Sequence, residues 1–350
     1  MDNSPKTMKK AILFRIRKCL LDQGSATKVE LSDRLGISFP TISKFLSQME
    51  NEGEILSVGL DDSSGGRRAK RYTYNPEYKL GLAIFLEKTE TQYTIFNCMG
   101  EVKEQGIAPS VLVDDGLNLL TTCIEKIKTK YPKISSLAIG VPGAVENGRI
   151  FYIPGYDQFQ NFDMKRYYEE RFAISVIVEN DMNAAVLGYH NNRGIRDQQS
   201  LIYLYSGHNG AGAGILINGD VVRGSTFFTG EVSFVPLYDQ QNFGQILEAE
   251  SGAKKQLIYD NQIDAISRLI ASFVAIINPH AIIFCNDEIE KVTLNKIANV
   301  STKYIPSEHL PELTISDWKR DYLYGLQGLG IDLMMSESVK QTISKGEGQR

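Results

Sequence analysis

A chain of 350 residues is too long for one small domain and suits two or three. Its 42% hydrophobic and 23% charged residues are ordinary for a globular protein, and no apolar run approaches the roughly 18 residues that a membrane-spanning helix needs. The formal net charge of −4 argues against nucleic-acid binding by the whole chain, but residues 1–80 hold 14 basic against 10 acidic residues, so a mildly basic head precedes an acidic body.

The cysteines and the N-terminal segment indicate the compartment. The four cysteines, at positions 19, 98, 123 and 285, are widely spaced and form no Cys-x-x-Cys pair. Such spacing favours reduced, buried residues over a disulfide framework or a zinc site. The segment after MDNSPKTMKK is amphipathic with charges throughout, unlike the core of a signal peptide. We therefore expect a cytoplasmic protein that has no association with membranes.

Two short helical patterns, TKVELSDRLG and SFPTISKFLSQME, follow one another near the N-terminus. Thr27 and Glu30 have the spacing of a capping box, and Gly36 supplies the permissive backbone that a tight turn needs. Ser38 suits the N-cap of the second helix, and Pro40 is tolerated in its first turn. Two core helices of a small bundle would give a similar pattern, but the basic loop that follows favours a helix-turn-helix.

Candidate DNA contacts fall on the second helix and on that loop. Outside its apolar stripe, the second helix carries Phe39, Thr41, Ser43, Lys44 and Ser47. The loop DDSSGGRRAKR lies between two short strand patterns and contributes Arg67, Arg68 and Lys70. A basic loop is often merely solvated, but its place directly after a helix-turn-helix predicts the wing of a winged helix, whose cations meet phosphates or a narrow minor groove.

The rest of the chain alternates apolar strands with helical segments, which predicts an α/β architecture. The predicted strands are LGLAIFLE, YTIFNCM, SSLAIGV, ISVIVEN, SLIYLYS, GAGILIN and AIIFCN. The predicted helices are 115–130, 163–172, 182–192 and 261–278. Two β-rich starts, near residues 80 and 200, indicate a duplicated two-lobed body with a ligand-binding cleft between the lobes.

Three stretches of the body could carry chemistry. Asn180 and Asp181 follow the strand ISVIVEN where a helix begins, the usual place for ligand contacts in an α/β sheet. There an aspartate beside an amide can orient and deprotonate a hydroxyl, although Asp181 is equally interpretable as the N-cap of the helix. In GHNGAGAGILING the glycines at 210, 212 and 214 suit either a phosphate-binding turn or a tight hairpin. Glu231 in STFFTGEVSFVPL is either solvated or a ligand contact.

Taken in order, these segments resemble the ROK family, which groups sugar kinases with sugar-responsive repressors. The resemblance rests on LAIGVPGAVENGRI, VENDMNAA, GAGAGILING, TGEVSF and INPHAIIF. It implies a two-lobed, actin-like or hexokinase-like ATPase fold preceded by a winged helix-turn-helix. We expect a DNA-binding domain at 1–78 and lobes at 79–190 and 191–319. A C-terminal helix at about 320–350 joins the first lobe.

Departures from the family pattern bear on catalysis. Kinases of the family begin the body with an Asp-x-Gly-x-Thr type loop for Mg²⁺ and phosphate, whereas this chain has LGLAIFLEKTETQY. His208 and Asn209 replace the usual Gly-Thr of the second phosphate loop. Because phosphoryl transfer depends on positioning and charge neutralisation, we predict that kinase activity is lost and that Gly210, Gly212 and Gly214 form a vestigial phosphate loop.

A zinc site of the family is also missing from the pattern. Many members have a histidine after Gly-Glu and cysteines following it, whereas this chain has Phe234 and no cysteine there. Without nitrogen or sulfur ligands a tetrahedral zinc site cannot form, so we predict neither metal nor cofactor.

The resemblance implies a sugar site built from Gly143, Asn180, Asp181, Glu231 and Glu248, with Glu250 as the alternative to Glu248. Asp181, the catalytic base of kinase relatives, would act only as an acceptor. The resulting hypothesis is a repressor of a carbohydrate operon that binds double-stranded operator DNA as a homodimer or tetramer and responds to a sugar or sugar phosphate. The alternatives are an active ATP-dependent sugar kinase and a constitutive DNA-binding repressor with a relic cleft.

Overall fold

The computed structural model describes residues 5–60, 69–153, 156, 159–193, 198–206, 210–248 and 259–336. Within these ranges the chain forms a small helical head and a mixed α/β body. The head consists of α1 (Pro5–Gln23), β1 (Ala26–Thr27), α2 (Lys28–Leu35), α3 (Phe39–Asn51), β2 (Ile55–Leu60) and β3 (Lys70–Tyr74). Its three strands form one antiparallel sheet in the order β1-β3-β2.

Local sequence signals explain how the head turns between its helices. The hydroxyl of Thr27 accepts a hydrogen bond from the Glu30 amide (3.2 Å), and the Glu30 carboxylate accepts one from the Thr27 amide (2.7 Å), so the predicted capping box is present. Gly36 ends α2 in the left-handed conformation at φ 61°. Ser38 stands at the N-cap position of α3, but its hydroxyl is hydrogen-bonded to that of Thr41 (2.8 Å) instead of capping a backbone amide.

The first half of the body is built on a five-stranded sheet in the order β11-β7-β4-β5-β6. Its strands are β4 (Leu80–Leu86), β5 (Glu90–Asn97), β6 (Val102–Pro109), β7 (Ile134–Val141) and β11 (Ser175–Asn180). Helices α4 (Gly116–Lys130) and α5 (Met164–Phe172) accompany it, together with the small sheet of β8 (Ala144–Glu146), β9 (Arg149–Tyr152) and β10 (Phe162–Asp163). Strands β11, β7 and β4 are parallel, and β5 and β6 are antiparallel additions.

The second half repeats this design. Its sheet has the order β14-β13-β12-β17-β18, in which β12, β17 and β18 are parallel and β13 and β14 are antiparallel additions. The strands are β12 (Leu201–Tyr205), β13 (Gly212–Ile217), β14 (Asp220–Val221), β17 (Ala281–Cys285) and β18 (Glu312–Ser316). Helices α8 (Asp260–Ile276) and α9 (Lys291–Ser301) accompany this sheet, as do α7 (Phe243–Glu248) and the hairpin of β15 (Pro236–Tyr238) and β16 (Gln241–Asn242). The predicted two-lobed α/β fold is confirmed.

Two helices connect the halves. Helix α6 (Asp181–Asn192) follows β11 of the first sheet and packs on β12 and β13 of the second, while α10 (Trp318–Ser336) packs on α6 and on β4, β7 and β11. Their backbones approach closely because each helix has a glycine that faces the other. A Cβ atom on Gly188 of α6 would lie 1.7 Å from the Asp321 carbonyl oxygen, and one on Gly325 of α10 would lie 1.9 Å from the Ala184 carbonyl oxygen. A shift of α6 must therefore displace α10.

Candidate functional site

Helix α3 buries one face and presents the other to solvent. Its buried residues are Ile42, Phe45, Leu46 and Met49. On the opposite face Phe39 is 48% exposed, and Lys44 and Ser47 are also exposed. Thr41 and Ser43 are half-buried, and the Ser43 hydroxyl accepts a hydrogen bond from the Lys28 ammonium (2.9 Å). The side chains that project most fully from α3 therefore suit an apolar contact with a thymine methyl group and polar contacts with phosphate.

Strands β2 and β3 form the stem of the predicted wing. Lys70, at the start of β3, is exposed and ion-paired with Glu50 of α3, whose carboxylate raises the pKa of Lys70. Arg71 is held inward, with its guanidinium 3.1 Å from the Glu30 carboxylate and 3.2 Å from the Ser25 carbonyl oxygen. The predicted DNA contacts Arg67 and Arg68 lie outside the described residues.

A cleft opens where the first and second halves of the body meet. The space between its walls, open solvent included, is about 580 Å³. Its walls come from the turn after β7, the junction of β11 and α6, the end of β12, the start of β13 and the loop at 229–231. The lining residues are Pro142, Gly143, Ala144, Tyr152, Asn180, Asp181, Met182, Tyr205, Gly210, Ala211, Gly212, Ala213, Thr229, Gly230 and Glu231.

Asn180 organises the floor of this cleft. Its side-chain oxygen accepts a hydrogen bond from the Asn183 amide (3.0 Å), and its side-chain nitrogen donates one to the Gly143 carbonyl oxygen (3.0 Å). Asn180 is therefore the N-cap of α6, so the interpretation of Asp181 as the N-cap is wrong. Asp181 is the first residue of the helix and accepts a hydrogen bond from the Met182 amide (2.8 Å).

Two carboxylates of the cleft are poorly solvated. Burial raises the pKa of Asp181 to about 7, and the negative charge of Glu231 adds to the shift. Burial also raises the pKa of Glu231. A carboxylate that has lost its water is stabilised by hydrogen-bond donors that take the place of that water. The hydroxyl groups of a ligand are such donors.

A third carboxylate, Glu179, is satisfied within the protein. It is buried, accepts hydrogen bonds from the Asn180 amide (3.0 Å) and the Asn183 side chain (3.1 Å), and pairs with Arg223 from the segment after β14. This ion pair joins the first half of the body to the second beside the cleft. The sequence analysis missed it, because the two residues are 44 positions apart and neither lies in a recognisable motif.

The glycines of the predicted site have different environments. A Cβ atom on Gly143 would lie 2.2 Å from the Tyr152 carbonyl oxygen, and one on Gly214 would lie 2.0 Å from that of Met182. Close packing of the chain itself therefore explains both residues. Gly210 adopts φ +96°, and Gly212 lies at the cleft with Met182 Cγ 3.5 Å from the position of its Cβ.

Other predicted residues are not brought to the cleft. Glu248 is exposed at the end of α7 and does not line the cleft. Glu250, His208 and Asn209 lie outside the described residues. Phe234 is 61% exposed. Across the described ranges, no group of histidine, cysteine, aspartate and glutamate residues could hold a metal ion, and no helix is long and apolar enough to cross a membrane.

Aromatic rings pack against one another beside the cleft, from Phe85 near the end of β4 to Tyr205 in the cleft wall. Phe85 contacts Tyr322 with ring centroids 5.1 Å apart, Tyr322 stacks on Trp318 at 6.0 Å, and Trp318 contacts Tyr205 in the cleft wall at 5.3 Å. Phe85 and Tyr322 are buried. We call these four residues the aromatic stack. These rings offer a phosphate group no charge compensation, and Lys319, the cation next to them in the chain, lies 3.4 Å from the Glu87 carboxylate.

The fold and the site define a two-lobed α/β protein with a cleft between its lobes and a helix-turn-helix head. The ROK family model matches residues 82–246, and a model of winged helix-turn-helix DNA-binding domains matches residues 10–55. The chain therefore contains a ROK family domain and an N-terminal winged helix-turn-helix domain.

Named relatives and solved structures agree with this assignment. The chain is 28% identical over 236 residues to a xylose repressor of Caldicellulosiruptor bescii, an alignment covering 65% of this chain and 59% of that repressor. It is 25% identical over 239 residues to the DNA-binding transcriptional dual regulator NagC of Escherichia coli, covering 66% of this chain and 57% of NagC. The aligned region thus spans less than two thirds of these relatives.

Among solved structures, a ROK family transcriptional regulator, a homologue of the E. coli MLC protein, has a TM-score of 0.73 at 19% identity and covers 94% of this chain and 98% of its own. A ROK hexokinase from Thermus thermophilus has a TM-score of 0.57 at 17% identity and covers 73% of this chain and 98% of its own. Both similarities show the fold, and the similarity to the regulator extends over nearly the whole of this chain.

Proposed function

We propose that the protein is a cytoplasmic, sugar-responsive repressor of a carbohydrate uptake or catabolic operon and has no kinase activity. The observation that carries the proposal is a contrast between the cleft and the region beside it. Asn180, Asp181 and Glu231 line a polar wall of the cleft, while the aromatic stack lies beside it near the end of β4 and contributes only Tyr205 to the lining. The names of the relatives, a xylose repressor and NagC, support the same class of protein.

The polar wall suits carbohydrate hydroxyl groups. Asp181 and Glu231 would accept hydrogen bonds from hydroxyls, while Asn180 holds the turn at Gly143 against the start of α6. In this function Asp181 binds a hydroxyl without activating it. Phosphoryl transfer would require a phosphate to lie in line beside that hydroxyl, and the aromatic stack provides no groups to neutralise it.

The head would bind double-stranded DNA through α3 in the major groove and the wing on the backbone. The exposed residues Phe39, Lys44 and Ser47 would make the first contact, and Lys70 would make the second together with the predicted Arg67 and Arg68. A symmetric homodimer would set two such helices about 34–36 Å apart on a palindromic operator.

A buried network provides a route from the cleft to the head. Helix α6 begins at the cleft and packs on α10, whose Met335 carbonyl oxygen accepts a hydrogen bond from the buried Arg17 of α1 (3.0 Å). Arg17 is also ion-paired with buried Glu54, to which the Tyr74 hydroxyl of β3 donates a hydrogen bond (3.1 Å). Sugar binding that moves α6 would therefore displace α10 and reorient the head.

A gel-shift experiment with the full chain and its natural upstream DNA tests the proposal. We expect binding at moderate salt and release by at least one sugar. To empty a mostly occupied operator, the sugar must bind the conformation that releases DNA more tightly than the DNA-bound conformation, by several kcal/mol. The stereoisomers of that sugar should not release DNA at the same concentrations. Failure to bind this DNA at moderate salt would refute the function.

The coupling route has its own test. Arg17→Lys keeps a charge beside Glu54 but loses the planar fork that also reaches Met335. We expect this variant to bind operator DNA and sugar while losing much of the sugar-dependent release. Unchanged release would exclude the route through Arg17.

The alternative function is an active sugar kinase, and one observation favours it. The pKa of Asp181, raised to about 7, suits a general base that works at neutral pH. A coupled ATP-turnover assay against a panel of hexoses and pentoses distinguishes the two. Sugar-dependent turnover at rates typical of kinases would establish the enzyme, whereas its absence together with sugar-dependent DNA release supports the repressor.

A further inference from the structure

The charged side chains that line the described part of the cleft are both acidic. They are Asp181 and Glu231, and burial raises the pKa of each. Cations on the neighbouring elements are engaged elsewhere: Arg223 pairs with Glu179, and Lys319 lies 3.4 Å from the Glu87 carboxylate and 3.2 Å from that of Glu90. The electrostatic environment set by the described lining of the cleft is therefore negative.

The start of α6, normally attractive to anions, already has its donors occupied. The Met182 amide donates to the Asp181 carboxylate (2.8 Å), and the Asn183 amide donates to the Asn180 side chain (3.0 Å). The positive end of the helix is thus compensated by a carboxylate of its own first residue. A phosphate approaching this point would meet a negative charge in place of open N–H groups.

The amides of the glycine-rich strand are committed as well. The Ala213 amide donates to the Gly230 carbonyl oxygen (2.8 Å). Because successive amides of a strand point to opposite sides, those of Gly212 and Gly214 point to β12, where the register pairs them with Tyr205 and Tyr203. These residues cannot form a phosphate cradle without breaking the sheet.

From these three observations we propose that the effector held by this cleft is a sugar without phosphate or any other anionic group. The inference rests on the proposed sugar response and specifies its ligand class. A phosphate ester needs charge-assisted donors to replace its water, and the described walls of the cleft supply acceptors instead. Sugar hydroxyls are donors and complement Asp181 and Glu231 directly.

Isothermal titration of the full chain tests the inference. Xylose, glucose and N-acetylglucosamine are compared with their phosphate esters, each also assayed for release of operator DNA. We expect the best sugar to bind at least about tenfold more tightly than its phosphate ester, as like charges in a poorly solvated site require. Equal or tighter binding of the ester overturns the inference and leaves the sugar response intact. If no compound binds or releases DNA, the sugar response itself fails.

Matched variants identify the source of the discrimination. Glu231→Gln removes one cleft charge and should narrow the ratio of the two dissociation constants several-fold. Glu312→Gln makes the same change at an exposed position at the start of β18 and should leave the ratio unchanged. With unmodified protein, a higher ionic strength should also narrow the ratio of the dissociation constants of ester and sugar, because salt screens the repulsion. This measurement keeps the test valid if a variant folds poorly. A ratio insensitive to both Glu231→Gln and salt overturns the electrostatic basis.

Discussion

Two buried charge centres of this protein are built in opposite ways. At the junction of head and body, Arg17 and Glu54 are both buried and satisfy each other, with Tyr74 and the Met335 carbonyl completing the network. In the cleft, Asp181 is poorly solvated beside a second carboxylate, Glu231, and its pKa rises to about 7. In the first arrangement each buried charge is compensated within the folded chain. The second raises the energy of the folded chain until a ligand supplies donors, as expected of a binding site.

The largest expected effect comes from breaking the paired centre. Arg17→Met leaves Glu54 buried without its cation and should lower the free energy of unfolding by about 3–5 kcal/mol in urea titrations. Lys70→Met, which breaks the exposed pair with Glu50, is the control and should leave the unfolding free energy almost unchanged. A small decrease in the free energy of unfolding of the Arg17→Met variant would mean that water reaches Glu54.

Neutralising the unpaired centre should have the opposite sign. The pKa of Asp181 rises from an ordinary 3.8 to about 7 on folding, so between these values the unfolded chain loses a proton that the folded chain keeps. The cost of this charge is therefore absent below pH 4, grows as the pH rises and is complete above pH 7. Asp181→Asn should stabilise the protein by about 2 kcal/mol at pH 8 and by almost nothing at pH 4. A stability difference independent of pH would show that Asp181 is well solvated.

The ligand-binding role of the cleft is tested by two glutamates. Glu231→Gln should raise the dissociation constant of the best sugar about tenfold, because it removes a charged acceptor from the wall. Glu248→Gln should not change it, since Glu248 is exposed and outside the described lining. Calorimetric titration of both variants decides the matter. Equal weakening would restore Glu248 to the site that the sequence pattern predicted.

The smallest expected effect concerns the aromatic stack. The Tyr322 hydroxyl is buried and has no hydrogen-bond partner among the described residues, and burial raises the pKa of this phenol well above its usual range. Tyr322→Phe should therefore raise the free energy of unfolding by up to about 1 kcal/mol. A loss of stability would reveal a partner for the hydroxyl, such as an ordered water.

Sequence reasoning succeeded where structure depends on neighbouring residues. The capping box of Thr27 and Glu30 and the turn at Gly36 follow from interactions within a few positions, and the head formed as predicted. Seven strands of the two body sheets were visible as apolar runs for the same reason. Strands β6 and β18 were missed because polar residues interrupt their apolar positions. The short strands β8, β9, β10 and β14 were missed because a strand of two to four residues has no detectable period.

The candidate site likewise contains residues that the sequence predicted and contacts that it could not predict. The order of motifs along the chain predicted that Asn180, Asp181 and Glu231 share a cleft, and all three line it. The pairing of Glu179 with Arg223 depends on the meeting of two lobes and was not predictable. Glu248 is exposed at the end of α7 and outside the described lining, so its contact with a sugar stays a prediction from the family pattern.

The amino-acid sequence alone determined the winged helix-turn-helix, the duplicated α/β body and the loss of the first phosphate loop, because local propensities and residue types express them. Only the tertiary structure decided that Tyr322 and Trp318, more than 200 positions after Phe85 in the chain, form one aromatic stack with it. It also decided that Arg17 reaches the last turn of α10 and that the charged side chains in the described lining of the cleft are both acidic. These features depend on which distant surfaces meet, and burial then sets the strength of their charges.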